Sequence, residues 1–429
     1  MIHGFLTSAI PVLIIGGGMF ILCRLGFFFI RRPIKTVRTS GGRSPLRELS
    51  VSLAGTLGVG NIVGVSMALS LGGAGAIFWM WLSAAVAAVL KYAEITLAVK
   101  YRRHDGDAVL GGPMYYMEYG VGGKLGRSLA VAFSVLGVFL SFVMGNLVQS
   151  RALTGAAVRV LAVPAWTIGL AVAALGALSI YGGYRAVSRV TAVIVPLMSA
   201  AYIAVSLLII LSNAERVPGV FREIFASAFD FSAAGGGTVG FFTSAAVRHG
   251  VAKGAFSHEA GGGTAPLSHA QTKTLVPARQ GVIGLFEVFF DTGVICTLTA
   301  LVLLLAPRGD AEGVDRVYDA FTHFCGRAGG AVVSASIVLF AFSTLICWGY
   351  YGRACLNYLT KSRVAVKIYL ALYAAFAFFG ALVGEATAWE LTDIGVCLMT
   401  TLNVASLVVL SGDVRRETEL VGLIKPRGK

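Results

Sequence analysis

The stretch AGTLGVGNIVGVS, residues Ala54 to Ser66, is apolar enough to lie in a lipid bilayer but too rich in glycine to remain a regular helix. Each glycine in a helix interior costs about 1 kcal/mol relative to alanine. Unwound backbone persists in a bilayer only where protein or a wet cavity satisfies its polar groups. We therefore predict a broken membrane helix whose free carbonyls and amides bind a cation and a carboxylate. Close packing of glycine-rich helices is the alternative interpretation.

The composition places the whole chain in a membrane. Of the 429 residues, 56% are hydrophobic and only 13% are charged, which is unlike a soluble domain. Apolar stretches of about 20 residues recur, and each is long enough to cross the hydrocarbon core as a helix. We predict a single polytopic domain over residues 1–429 without a soluble domain. The eleven predicted spans are approximately 5–30, 50–71, 76–99, 128–149, 163–180, 190–211, 239–270, 282–306, 331–351, 364–384 and 391–410.

Lysine and arginine are concentrated in alternate loops and in the C-terminal tail, residues 411–429. Cytoplasmic loops of membrane proteins carry this excess, which predicts a plasma (inner) membrane protein with its C-terminus in the cytoplasm and its N-terminus outside. The net charge of +14 is then a topology signal, and we expect the lipid bilayer rather than nucleic acid as a partner. The six cysteines lack ligand spacing and no cofactor motif occurs, so we expect no cofactor.

A second span carries the same defect. Residues 248–266 read RHGVAKGAFSHEAGGGTAP, and glycines interrupt this otherwise helical stretch. By span count, it enters the membrane from the side opposite to the first broken helix. Two interrupted helices in oppositely oriented halves indicate an inverted-repeat transporter with a binding site near the midplane.

Two other functions remain as alternatives. A channel also uses interrupted helices, but no filter sequence or fourfold repeat is present. An intramembrane enzyme would need clustered catalytic groups, and neither an HExxH nor a GxSxG pattern occurs.

Several blocks of the sequence resemble the alanine or glycine:cation symporter family of the amino acid-polyamine-organocation superfamily. They include the first stretch continued to AIFWMW, KYAEITLAVKYR, GGPMYYMEYG, GVAKGAFSHEAGGGTAP, DTGVICTLTA and AFSTLICWGYYG. The resemblance covers essentially the whole chain. It implies an all-α leucine-transporter type fold with a five-plus-five inverted repeat, whose halves are about 50–211 and 239–410 and follow an extra span at 5–30. It also implies import of alanine or glycine, driven by sodium ions or protons.

The resemblance implies an amino-acid site between the two broken helices. Gly250 and Val251 lie where the break of the second helix is expected. Gln149 matches a polar residue that faces the substrate, although a helix-to-helix hydrogen bond explains such a glutamine equally well. A tight apolar wall would exclude larger side chains. The substrate-binding residues predicted in this way are Thr56, Gly60, Asn61, Gln149, Gly250, Val251, Phe256 and Trp348.

The resemblance also implies a cation site, formed by carbonyls of the first broken helix and by two hydroxyls in the AFSTLICWGYYG block. The alternative for the hydroxyls is a hydrogen bond to a carbonyl of their own helix, which is common in membrane proteins. The predicted cation-binding residues are Ala54, Thr56, Leu57, Gly58, Val59, Ser343 and Thr344.

Three further polar residues have either a coupling or a structural role. His258 stands where the family usually has asparagine, and it could relay protons with Glu259 or cap a helix. Asp291 could bind the cation or orient helices by hydrogen bonding. Gly262 replaces a bulky family residue, which leaves the coupling ion and the local flexibility open.

Other intramembrane residues have structural interpretations. Lys91 and Glu94 are three positions apart on one helix, and we predict that they form an ion pair. Trp79, Trp81 and Trp389 lie at predicted span ends, and we interpret them as anchors at the membrane interface.

Overall fold

The structure, a computed structural model, describes residues 9–39, 53, 55–106, 108–230 and 244–425. The first nine helices are α1 (Ala9–Leu25), α2 (Phe28–Arg31), α3 (Pro33–Thr39), α4 (Val63–Gly72), α5 (Gly75–Lys100), α6 (Pro113–Tyr116), α7 (Gly123–Leu161), α8 (Ala165–Tyr181) and α9 (Gly183–Ser212). The others are α10 (Val217–Ala228), α11 (Ala245–His258), α12 (Ala265–His269), α13 (Pro277–Leu305), α14 (Gly313–Leu359), α15 (Arg363–Gly380), α16 (Glu385–Val409) and α17 (Ser411–Leu420). Strands β1 (Arg103–Asp105) and β2 (Ala108–Leu110) form a small antiparallel hairpin.

The structure confirms the prediction of a helical membrane protein. Seven of the described helices are long and apolar enough to cross a membrane, namely α5, α7, α9, α13, α14, α15 and α16. Helices α1, α4 and α8 are shorter apolar helices. Some helices extend well beyond the predicted spans. Helix α14 has 47 residues, and the non-helical backbone at Gly326 divides it before the predicted span begins.

Helix α5 lies at the centre of the bundle and is buried along most of its length. Glycines on its two main neighbours allow the backbones to approach closely. A Cβ atom at Gly254 of α11 would lie 2.7 Å from Ser83 Oγ, and one at Gly281 of α13 would lie 2.8 Å from the Tyr92 carbonyl oxygen. Small residues at helix interfaces are the usual means of tight packing inside membranes. These glycines hold α11 and α13 directly against α5.

The predicted break in the first glycine-rich stretch is confirmed. The chain leaves the helical conformation near Leu57 and forms one 3₁₀ turn at Val59–Asn61, after which α4 begins. The side chain of Asn61 accepts a hydrogen bond from the Gly58 amide at 2.9 Å, which stabilises the unwound segment. Glycine is required at position 58 because a Cβ atom there would clash with the Thr344 hydroxyl.

The second break exists, but the prediction that it lies at Gly250 and Val251 is wrong. Helix α11 continues through both residues and ends at His258. A Cβ atom at Gly250 would clash with the Ala76 carbonyl oxygen, so this glycine serves helix packing. The chain turns instead at Glu259, which has a positive φ of 52°, and at the glycine run that follows.

Candidate functional site

The two breaks meet at a buried carboxylate. Asp291 lies in a π-helical part of α13, at Phe289–Cys296, and its side chain is fully buried. One carboxylate oxygen accepts a hydrogen bond from Asn61 Nδ2 at 2.5 Å, and the other accepts from Ser257 Oγ at 2.9 Å. Asn61 belongs to the first break and Ser257 to the end of α11. Asp291 therefore connects both breaks with α13.

Other polar groups of the first break contact helices α7 and α14. Gln149 of α7 accepts a hydrogen bond from the Val59 amide at 3.4 Å, which is the contact between helices of the alternative interpretation. Its role in facing the substrate stays a prediction. Thr344 of α14 donates to the Leu57 carbonyl at 3.1 Å. Ser343 instead donates to the Phe340 carbonyl of its own helix, the alternative interpretation for such hydroxyls. Of the two predicted hydroxyl ligands, only Thr344 reaches the break in this structure.

Two predicted wall residues border the same region. Phe256 covers the first break so closely that a Cβ atom at Gly60 would lie 2.8 Å from its ring. Trp348 donates a hydrogen bond to Glu259 Oε1 at 2.9 Å. A cavity of about 20 Å³ lies beside Trp348, Glu259 and Met144. It is large enough to hold one water molecule. Phe256 therefore borders the first break, whereas Trp348 borders a small cavity at the turn that follows α11.

The predicted ion pair between Lys91 and Glu94 is wrong. Lys91 Nζ lies 3.0 Å from Glu287 Oε2 of α13. Glu94 accepts hydrogen bonds from the Gly263 amide at 3.1 Å and from Asn403 Nδ2 at 2.7 Å. The helical spacing allowed the pair, but tertiary partners on α13, on α16 and at the second turn are better placed. Glu94 thus anchors the glycine turn that follows α11.

His258 is placed as a helix-end residue. Its Nδ1 accepts a hydrogen bond from the Ala260 amide at 3.0 Å, which is the capping interpretation. The Glu259 carboxylate accepts from Thr264 Oγ1 at 2.5 Å as well as from Trp348. Among the described residues, His258 Nε2 has no hydrogen-bond partner. Direct proton exchange between His258 and Glu259 has no hydrogen-bonded path among these contacts.

The assignment of the tryptophans as interfacial anchors is wrong for Trp79 and Trp389, which are both buried. Trp79 donates a hydrogen bond to the Ala228 carbonyl at 2.9 Å. The ring of Trp389 packs against Phe256 with centroids 4.6 Å apart. Trp81 is partly buried and donates to Thr297 Oγ1 at 2.8 Å. Hydropathy located these residues at span ends but contained no information about the helix that packs beside them.

Some site residues were absent from the sequence prediction. Thr299 of α13 donates a hydrogen bond to the Asn61 carbonyl at 2.8 Å and thereby satisfies part of the first break. Lys253 of α11 lies 3.0 Å from the Asp393 carboxylate of α16. Its Nζ is also 4.4 Å from the centre of the Trp389 ring. Two charges of opposite sign within apolar spans were the available signal for the pair, because such charges are costly unless they are compensated.

Comparison with known proteins places this arrangement in a family. The family model described as the sodium:alanine symporter family matches residues 1–420. The chain is 36% identical to the sodium/alanine symporter AgcS of Methanococcus maripaludis, over 96% of this chain and 94% of that protein. It is 34% identical to the amino-acid carrier protein AlsT of Bacillus subtilis, over 95% and 88%. It is 33% identical to the probable sodium/glutamine symporter GlnT of Bacillus subtilis, over 94% and 86%. The chain therefore belongs to the sodium:alanine symporter family and is a transporter, not an enzyme.

Proposed function

We propose that this protein is a secondary active symporter that imports alanine or glycine together with a sodium ion by alternating access. The observation that carries the proposal is the junction of the two helix breaks. Asn61 and Ser257, one from each break, both donate hydrogen bonds to the buried Asp291 carboxylate. Interrupted helices that meet inside a membrane bundle expose backbone groups for a substrate and an ion.

In this proposal the amino acid lies between the breaks. Its carboxylate binds backbone amides of the first break near Gly60, with Gln149 beside them. Its ammonium group binds carbonyls in the last turn of α11 other than that of His258, which accepts a hydrogen bond from Lys91. The helix dipole is negative at this end. Phe256 and Trp348 form the wall around the side chain. A tight wall at this position would favour a methyl group or a hydrogen atom over the longer glutamine side chain that the name of GlnT indicates for that relative.

The cation is proposed to bind between the first break and α14. The Leu57 carbonyl and the Thr344 hydroxyl are 3.1 Å apart and supply oxygen atoms of the kind that sodium prefers. Thr56, Gly58 and Val59 remain predicted ligands, and Ala54 lies outside the described residues. We leave Ser343 out of the proposed site because its hydroxyl bonds to the Phe340 carbonyl of its own helix. Sodium is favoured over a proton because two of the three relatives compared above are named sodium symporters. The proposed mechanism needs no cofactor.

The proposed architecture is a leucine-transporter type inverted repeat. The halves are about 50–211 and 239–410, and each begins with one of the broken helices. The apolar stretches give eleven proposed spans in an inner membrane. From the distribution of lysine and arginine we infer that the N-terminus is outside and the C-terminus is in the cytoplasm. Alternating access would then arise from movement of one group of helices against the other.

Reconstitution tests the proposal directly. Purified protein in proteoliposomes should accumulate labelled alanine or glycine against the amino-acid concentration gradient when an inward sodium gradient is imposed. The uptake rate should saturate with amino-acid concentration. Glutamine should be a poor competitor. Uptake that follows an imposed proton gradient without sodium would contradict sodium coupling. Flux that neither saturates nor accumulates substrate would support the channel alternative.

A further inference from the structure

The ammonium group of Lys91 lies where the two broken helices cross. Lys91 is on the central helix α5, and its side chain is completely buried. Its Nζ donates to Thr56 Oγ1 of the first broken helix at 3.3 Å and to the His258 carbonyl at 3.0 Å. His258 is the last residue of α11. A single positive charge thus contacts both broken helices at once.

The groups around this ammonium form a cation site. The carbonyls at the C-terminal end of a helix have no partner within the helix, and the helix dipole makes that end negative. The second break stops α11 inside the bundle, so the His258 carbonyl needs a donor or a cation. A hydroxyl, a helix-end carbonyl and a carboxylate are also the oxygen types that bind hard metal cations. Here Thr56, His258 and Glu287 provide these oxygens to Nζ.

The charge of Lys91 is balanced by one carboxylate. Glu287 is also fully buried, and His269 Nε2 lies 2.9 Å from its other oxygen. Gln280 Nε2 lies 2.8 Å from His269 Nδ1. The Gln280 amide and the Glu287 carboxylate thus hold the His269 ring between them. Lys91 and Glu287 therefore form a buried ion pair.

We propose that Lys91 is a built-in cation that occupies the position of a second transported ion, so that only one sodium ion is coupled to each amino acid. The inference extends the proposed function by setting its ion stoichiometry. Lys91 is tethered to α5 and cannot leave with the substrate. The transported sodium ion is consequently confined to the other region of the first break, near Leu57 and Thr344.

The ratio of sodium to alanine in the wild-type protein is the first test. The membrane potential at which coupled alanine flux reverses in proteoliposomes gives this ratio. We expect one sodium ion per alanine. A ratio of two would overturn the inference and leave the proposed function intact. If the wild-type protein shows no sodium-driven alanine uptake, the proposed function fails, while the sodium-binding measurements described next still test the role of Lys91.

Two matched variants provide the second test. Lys91→Ala leaves the Glu287 charge and creates space, so a sodium ion should enter. Uptake should then depend on sodium more steeply than in the wild type, and the melting temperature of the purified variant should rise with sodium concentration more than that of the wild type. Lys91→Met fills the space without a charge and should show neither effect. In Lys91→Ala combined with Glu287→Gln, the carboxylate that pairs with Lys91 is neutral, and the steeper dependence should disappear.

The results decide between two outcomes. The inference is overturned if uptake and melting temperature of Lys91→Ala depend on sodium as in the wild type. It is also overturned if the sodium dependence changes equally in Lys91→Ala and Lys91→Met. If Lys91→Ala cannot be purified, the wild-type ratio decides alone: one supports the inference and two overturns it.

Discussion

Replacing Thr344 by valine removes one oxygen atom at the proposed cation site and keeps the shape of the side chain. Thr344 Oγ1 is 3.1 Å from the Leu57 carbonyl oxygen, and the residue is buried. A hydrogen bond to a charged group is worth about 1.5 to 3 kcal/mol, and we take the contact between a hydroxyl oxygen and sodium to be of the same order. Each 1.4 kcal/mol corresponds to about a tenfold change in affinity. We therefore expect the sodium concentration for half-maximal uptake to rise at least about tenfold in Thr344→Val.

The assay is the initial rate of labelled alanine uptake into proteoliposomes as a function of sodium concentration. Ser343→Ala is the matched control, because the Ser343 hydroxyl bonds to the Phe340 carbonyl of its own helix. Its half-saturating sodium concentration should change less than about twofold, since a hydrogen bond within one helix contributes little to ion binding. The reasoning is refuted if Thr344→Val has the wild-type sodium dependence, or if both variants shift equally.

Three further substitutions address the amino-acid site. Gly60→Leu should abolish uptake, because a Cβ atom at Gly60 would already lie 2.8 Å from Phe256, while the protein should still insert and purify normally. Normal uptake would remove Gly60 from the site. Trp348→Ala should enlarge the 20 Å³ cavity and admit larger neutral amino acids, measured as competition by glutamine; unchanged selectivity would contradict the wall assignment. Asp291→Asn should reduce uptake at least about tenfold, because a neutral group replaces the charged acceptor that joins the breaks. The purified variant should still elute as a single peak in size-exclusion chromatography. Full activity of the variant would make Asp291 dispensable.

The first break could be predicted from sequence because its cause is local. Four glycines close together destabilise any helix, whatever surrounds it. The second break was misplaced because a glycine has two uses that look identical in sequence. Gly250 permits close packing against Ala76, whereas the run from Gly261 to Gly263 turns the chain. Only the neighbouring helix distinguishes these uses.

Side-chain partners were predictable only where the choice of partner was restricted. Gln149 contacts the Val59 amide of the first break, and the substrate role that the family resemblance implied for it stays a prediction. Lys91 had a suitable carboxylate on its own helix but pairs with Glu287, almost two hundred positions later. In a bundle, a buried charge can reach residues on several helices, and the best geometry decides. Sequence spacing describes only the helix that carries the charge.

The glycine contacts of α5 also have a mechanical consequence. Helices whose backbones touch cannot slide past each other by exchanging side-chain rotamers, because there are no side chains between them to rearrange. Helices α5, α11 and α13 should accordingly move as one rigid body in the transport cycle that we propose. Thr344 lies on α14, outside this body, whereas Leu57 is in the broken helix beside it. Relative motion between the rigid body and α14 would change the distance between Leu57 and Thr344. A sodium ion bound to both residues would therefore restrain that motion.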